Sequence, residues 1–279
     1  MGFLNPNNSV GRELVGLIPA GGKASRVAPL PCSKELFPIG FYSLGQGHDL
    51  RPKTVCHYLL EKMRVAGTRK AYIVLRQGKW DIPAYFKDGD QFGIHLAYLM
   101  MGLPYGVPYT LDQGYFFVKD AIVLFGFPDI LFEPEDAFVR LLARQAQSDA
   151  DVVLGLFRVH LPEKWHMVEA DGSGRVRSIV INPVGKTHLE YTWIIAVWTP
   201  VFSHFMHEYV EKVRKGSKPM DGDRLSKEPH ELTLSEVIQQ GIDRGLRVEA
   251  VTFPDRPCLD IGTPEDLVKA VNGSVSQAI

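Results

Sequence analysis

The sequence predicts an α/β fold, on three observations. The apolar run Leu14 to Ala20 stops abruptly at the pair Gly21-Gly22, as a buried strand entering a turn does. Lys53 to Ala66 carries Val55, Leu59, Leu60 and Met63 at helical spacing, and Lys70 to Leu75 follows as a strand, so strand, loop, helix and strand compose a βαβ unit. Asp151 to Val159 alternates Val152, Leu154 and Leu156 against Val153, Gly155 and Phe157, and apolar residues on both faces belong to a central strand.

The remaining elements follow in order. Trp80 to Phe86 reads as a short helix limited by Pro83, Asp88-Gly89-Asp90 as a turn and Ile94 to Met100 as a strand. A loop dense in Gly and Pro, 102–108, leads to a helix over Thr110 to Lys119. Ala121 to Phe125 is the most strand-like run and ends at Gly126-Phe-Pro-Asp129. Pro134 to Gln147 reads as a helix opened by Pro and two acids. Then the character changes. Met167 to Ala170, the turn Asp171-Gly-Ser-Gly174 and Val176 to Ile181 form a hairpin, and Thr192 to Trp198 a further strand, giving a β-rich flank. Pro200 to Arg214 is helical, Lys215 to Arg224 an exposed loop, Glu231 onwards a helix to Gln240, and Arg247 to Phe253 a strand. Thr263, Pro264 and Asp266 are N-cap, first position and N3 of a last helix.

Composition narrows the function classes. The 279 residues suffice for a sizeable core, and 45% apolar with 23% charged residues is the balance of a soluble globular chain. A net charge of −1 gives no global attraction to nucleic acid or anionic membrane, so neither is expected as a partner and any affinity for phosphate must be local. Cys32, Cys56 and Cys258 are sparse, odd in number and widely spaced, which argues for a reducing compartment rather than a disulfide framework. The start, Met1-Gly-Phe-Leu-Asn-Pro-Asn-Asn8, has no basic or apolar leader region, Pro6 stands where a myristoylation signal wants Ser or Thr, and no window is long enough to span a bilayer. The expected location is cytoplasmic.

One stretch is rich in chemistry. Gly21 to Lys34 holds two glycines, two serines, two prolines and the cations Lys23, Arg26 and Lys34, with no acid. Glycine lets backbone approach a ligand, and successive free N–H groups make an anion cradle, so phosphate is the natural guest. A plain Gly-rich turn after a strand has the same local sequence; the Ser33-Lys34-Glu-Leu-Phe-Pro38 segment is what turn-making leaves unexplained. Asp129 lies past the end of a buried strand, where open α/β sheets place ligands and where an Asp also caps turns. Capping accounts for Thr263, Pro264 and Asp266 but not for Asp260. His204 and His207 stand one helical turn apart without a nearby third ligand, which favours packing or surface roles. A dinucleotide-binding dehydrogenase fits the sequence worse: G-x-G-x-x-G is missing, and Lys70 to Leu75 ends in Arg76-Gln77 rather than an acid.

Pro19-Ala-Gly-Gly-Lys-Ala-Ser-Arg26 followed by Ser33-Lys-Glu-Leu-Phe-Pro38 resembles the signature of the sugar-1-phosphate nucleotidyltransferases, the thymidylyl- and uridylyltransferases acting on glucose 1-phosphate. Asp129 and Leu259-Asp-Ile-Gly-Thr-Pro264 fall in the family's order, and the resemblance covers about Leu14 to Ala270. It implies a Rossmann-like mixed, mostly parallel sheet flanked by helices, with a small β-rich acceptor-binding flank. The chain then forms a single domain over 1–279, residues 14–160 mainly binding nucleotide and 161–270 supplying the acceptor flank and a second metal-ligand region. The implied reaction is attack of a sugar 1-phosphate, or a cyclitol-like analogue, on the α-phosphorus of a nucleoside triphosphate, with pyrophosphate leaving. The resemblance gives Ala20, Gly21, Gly22, Lys23, Ser25, Met101 and Gly106 to the nucleotide, catalytic charge neutralisation to Arg26 and Lys34, and Mg²⁺ to Asp129 and Asp260. Relatives are often dimers or tetramers, so a homo-oligomer is implied as well.

The departures concentrate on the acceptor. Ala24 and Ser25 replace a Gly and a Thr of the loop, and Pro128 a Gly before the metal-binding Asp. Met101 stands where the base-reading Gln would be, with Gly106 in place. The Glu-Lys-Pro sugar and phosphate motif reads Ile181-Asn182-Pro183, leaving Asn182 for a sugar hydroxyl and Lys186 for the phosphate. Trp165-His166 replaces a Tyr-Gly pair, which brings His166 to the acceptor pocket. A non-catalytic nucleotide-binding or regulatory relative is the alternative these changes raise.

Overall fold

Among the described residues nine strands form the main sheet, and their pairing follows the apolar pattern. A computed structural model describes residues 11–43, 49–102, 105–185, 187–216, 231–256 and 258–272. β1 (Leu14–Ala20) is central, paired in parallel with β4 (Lys70–Leu75) on one side and β6 (Ile122–Gly126) on the other. β5 (His95–Met100) extends the parallel set beyond β4. On the opposite side β11 (Tyr191–Trp198) runs antiparallel to β6 and to β8 (Val152–Arg158), and β12 (Val248–Phe253) pairs in parallel with β8. β8 is therefore interior, as its two apolar faces require.

Both faces of the sheet are covered. Val15 and Leu17 of β1 enter one core with α3 (Val107–Asp112), α6 (Pro200–Gly216) and α7 (Leu234–Asp243). Ile18 and Ala20 enter the other, with α1 (Val55–Val65), α2 (Asp81–Phe86) and α5 (Ala137–Ser148). Leu59, Leu60 and Met63 of α1 are fully buried, and each such side chain contributes about 1.5–3 kcal/mol of transfer free energy. α1 approaches β1 closely: a Cβ on Gly16 would stand 2.7 Å from the Ala71 Cβ and 3.0 Å from the Met63 sulfur.

The expected flank is a hairpin of β9 (Met167–Ala170) and β10 (Val176–Val180), which joins the sheet where Met167 pairs with Thr192 of β11. A short antiparallel pair, β7 (Ile130–Phe132) and β13 (Cys258–Asp260), sits beyond the end of β6. The last helix, α8 (Pro264–Val271), opens as its sequence predicts, with the Thr263 hydroxyl accepting from the Asp266 N–H.

Three local expectations change. Lys53 and Thr54 end a strand, β3 (Leu50–Thr54), paired with β2 (Pro38–Ser43), rather than opening α1. The helix over 110–119 begins earlier, at Val107, and breaks into α3 and α4 (Tyr115–Val118). The break falls at Gly114, where a Cβ would stand 2.7 Å from Leu17, so the chain bends while pressed against β1. The helix over 134–147 starts at Ala137, with Asp136 as N-cap residue. The loop over 215–224 lies largely outside the described residues, as does Lys186. No described helix is long and apolar enough to cross a membrane.

Candidate active site

Parallel pairing of β1 with β6 brings the ends of both strands to one edge of the sheet. The loop beginning at Gly21 leaves one strand end there and Asp129 lies just past the other, the place where α/β sheets bind ligands. β13 then lies against β7 with Asp260 opposite Ile130, and the Ile261 N–H donates to the Asp129 carbonyl at 3.2 Å. Two carboxylates 131 positions apart in sequence thus stand at facing strand ends. The cavity between these elements measures about 450 Å³.

Lys34 opens a single 3₁₀ turn, Lys34–Leu36, held from below at two points. The Ser33 N–H and hydroxyl donate to the Asp81 carboxylate at 2.6 and 2.8 Å, and Lys79 donates to Glu35 at 2.5 Å. Asp81 and Lys79 both follow β4, so the sheet fixes the backbone on either side of Lys34. Its ammonium reaches the Asp129 carboxylate as an ion pair. Burial opposes charge on Lys34, but Asp129, helped by Asp260 and Glu35, outweighs it and holds the ammonium above its ordinary pKa. Lys34 is a permanent cation at this site.

Asp260 accepts the Gly262 N–H at 2.8 Å and lies 3.9 Å from the exposed Arg26 guanidinium. Burial, followed by the Asp129 charge, raises its carboxyl above the usual range, against Lys34, the Gly262 N–H and Arg26. A Cβ on Gly262 would stand 2.8 Å from the Arg26 guanidinium and 2.9 Å from the Asp260 carboxylate, so a side chain there would push these two charged groups aside. Glu35 is buried against the cavity, its carboxyl raised by that burial while Lys79 pulls the other way, and its Oε2 has no hydrogen-bond partner among the described residues.

The two ends of the cavity differ in chemistry. At one end Gly21, Met101, Gly106 and Thr110 form the wall. Met101 packs its sulfur where a Cβ on Gly21 would be, 2.5 Å away, and accepts from the Thr110 hydroxyl at 3.4 Å. Gly106 has φ +111 and lies so near the Leu232 carbonyl that a Cβ would be 2.0 Å from it, so only glycine fits. At the other end Trp165, His166, Trp193 and Ser235 line the space. Burial keeps His166 below its ordinary pKa, against the pull of Glu236.

The model of the family described as nucleotidyl transferase matches residues 15–277. The chain belongs to that family. Among its curated relatives are the low-salt glycan biosynthesis nucleotidyltransferase of Haloferax volcanii, 22% identical over 91% of this chain and 64% of its own length, and the glucose-1-phosphate thymidylyltransferase of Streptomyces griseus, 26% identical over 85% and 59%. The chain thus spans about three fifths of the length of these nucleotidyltransferases. Among solved structures, UDP-glucose pyrophosphorylase complexed with UDP-glucose superposes with a TM-score of 0.71 at 17% identity, covering 95% of this chain and 99% of that one. A UTP-bound UGPase from Acinetobacter baumannii gives 0.70 at 15%, over 94% and 93%. These neighbours share the mixed, mostly parallel sheet flanked by helices.

In this chain the sequence-predicted residues separate into two groups. Gly21, Gly22, Arg26, Lys34, Met101, Gly106, Asp129, His166 and Asp260 all border the one cavity. Ala20 ends β1 beneath it, and Lys23 and Ser25 lie on the exposed outer part of the loop. Asn182 does not border the cavity; it sits exposed after β10 with φ +45. Sequence reasoning missed Glu35, Lys79, Thr110, Trp193 and Ser235. The segment 231–235 was read only as a helix start, and its capping residues carried no hint that they also form a cavity wall.

Proposed function

We propose that the chain transfers a nucleotidyl group from a nucleoside triphosphate to a sugar 1-phosphate. An acceptor phosphate oxygen attacks the α-phosphorus, the bond to the α–β bridging oxygen breaks, and pyrophosphate carries away that electron pair. The observation that carries this reading is the meeting of Gly21-Gly22, Arg26, Lys34, Asp129 and Asp260 on one side of a cavity whose other side is aromatic and polar. In-line phosphoryl transfer needs positioning and charge neutralisation, and those are what these residues offer.

Backbone N–H groups of Gly21 and Gly22, with Arg26 above them, hold the triphosphate. Lys34, already charged, faces the oxygens that gain negative charge as pyrophosphate departs; its pairing with Asp129 balances both charges beforehand. The donor set fits Mg²⁺. Two carboxylates stand at facing strand ends, Asp260 raised first by burial and then by the Asp129 charge, and a hard dication takes one or two carboxylates together with phosphate oxygens. No group of three or more potential metal-ligating side chains forms among the described residues, so Asp129 and Asp260 would hold the ion jointly with substrate. When bound, Mg²⁺ supplies Lewis-acid neutralisation of the phosphate charge. Glucose 1-phosphate with UTP or dTTP is the first substrate pair to try, since the similar proteins are named for those reactions. A cytoplasmic setting accords with the three free thiols.

The test is pyrophosphate release by the full chain across a panel of triphosphates and sugar 1-phosphates with Mg²⁺. We expect release only when both substrates are present. A folded protein that turns over no pair contradicts the reading.

A further inference from the structure

We infer that Trp193 and Ser235 act as positioning residues that fix His166 in its Nε2–H tautomer, a neutral hydrogen-bond donor facing the acceptor half of the cavity. The inference deepens the proposed transfer reaction and rests on it for the identity of the ligand, but not for the state of the imidazole.

Three contacts build the device. The Trp193 indole N–H donates to the Ser235 Oγ at 2.9 Å, Ser235 Oγ meets His166 Nδ1 at 2.7 Å, and the Thr192 hydroxyl donates to the His166 carbonyl at 2.8 Å. Ser235 and Trp193 are buried at 1% and 4% exposure, so bulk water cannot replace these partners. An indole N–H only donates. It takes one lone pair of Ser235 and leaves the hydroxyl proton to be placed. His166 Nδ1 is the acceptor available for it. If Nδ1 carried the proton, Ser235 would accept twice and its own buried O–H would have no acceptor among the described residues, an arrangement that costs a desolvated donor. The chain of donation therefore runs from Trp193 to Ser235 to His166 Nδ1, and the proton on the ring sits at Nε2.

A protonated imidazole breaks the same chain, because both ring nitrogens then donate. Glu236 favours the charged ring, and burial overrides it. Lys164 and Glu231 also border the cavity, as do Arg26, Lys34, Glu35, Asp129 and Asp260. The four residues span three elements: His166 precedes β9, Thr192 and Trp193 lie in β11, and Ser235 is in the first turn of α7. None of the three contacts is needed to close a helix or strand, which marks them as fixing a side chain rather than a backbone.

A neutral Nε2–H group selects ligand atoms that accept, such as a hydroxyl, ring or phosphate oxygen of a sugar phosphate. It gives no favour to an ammonium in that place. His166 thereby takes up sugar recognition that Asn182, away from the cavity, does not provide.

The direct test is the ¹⁵N chemical-shift pattern of the His166 ring in the labelled full chain, assigned by its loss in His166→Gln. We expect a neutral ring protonated at Nε2 at pH 7, and mixed tautomers in Ser235→Ala and Trp193→Phe. A ring protonated at Nδ1, or charged at pH 7, overturns the inference whether or not the protein turns over. In steady-state assays S235A should raise the acceptor KM about fivefold to tenfold, the loss of one oriented hydrogen bond, with little change in triphosphate KM. An S235A acceptor KM equal to the wild type also overturns it. No turnover by any variant or by the wild type, with the expected ring pattern, instead counts against the transfer reaction.

Discussion

Ala24 holds a left-handed backbone conformation, φ +53, in the middle of the loop that follows β1, and its carbonyl accepts from the N–H groups of Val27 and Ala28 at 3.1 and 3.0 Å. A side chain in that region costs about 1–2 kcal/mol, part of which glycine returns as unfolded-state entropy. Ala24→Gly should therefore stabilise the protein by about 0.5–1 kcal/mol, read from chemical denaturation. Unchanged or lower stability would show that this turn is not held as described. Asp260 gives a second expectation at this scale. Its folded carboxyl is raised above the unfolded value, so the folded state binds the extra proton, and stability falls as pH rises through the window just above the ordinary carboxylate range. Asp260→Asn keeps an acceptor for the Gly262 N–H and removes the charge. The variant should match or exceed wild-type stability at neutral pH, with a flatter acid profile, while losing activity. A large stability loss at neutral pH would contradict this electrostatic account.

The cavity wall between residues 231 and 235 depends on how α7 begins. Thr233 accepts from the Glu236 N–H at 3.2 Å, and the Glu236 carboxylate accepts the Thr233 N–H at 2.6 Å, a reciprocal capping box. Thr233→Ala should cost about 1 kcal/mol in thermal or denaturant unfolding. Retained stability would remove the cap from the account. The packing of α1 on β1 is tested by Gly16→Ala, whose new methyl meets Ala71 and Met63. Overpacking at such a contact costs about 1–3 kcal/mol. Gly16 faces Ala71 and Met63 and does not border the cavity, so a stability loss without any change in triphosphate KM is the expected pattern.

Across the molecule, what was legible in the sequence is what repeats locally. β1, α1, β4, β6, the β9–β10 hairpin and the capped start of α8 each carry a periodicity or a cap signal within a dozen residues. β3 escaped notice because Leu50-Arg-Pro-Lys-Thr54 is largely exposed and pairs only with β2, so no face of it is apolar. The break between α3 and α4 depends on Leu17, nearly a hundred residues away. The site divides the same way. The loop, Lys34, Asp129 and Asp260 were readable as motifs, whereas the Lys79–Glu35 pair and the Trp193–Ser235–His166 chain join residues 42 to 69 apart with no local signature. Asn182 was placed by motif order, and the turn after β10 carries it away from the cavity.

The central claim is that these strand ends form one transfer site. The measurement that meets it most directly is ³¹P NMR of the full chain with Mg²⁺, a triphosphate and a sugar 1-phosphate, run beside Lys34→Ala. The account predicts pyrophosphate and a nucleotide-sugar diphosphate appearing one to one, at a rate about 10²–10³ lower in the variant, the loss typical of removing one group that stabilises transition-state charge. Triphosphate hydrolysis without sugar product, or a variant as fast as the wild type, would contradict it.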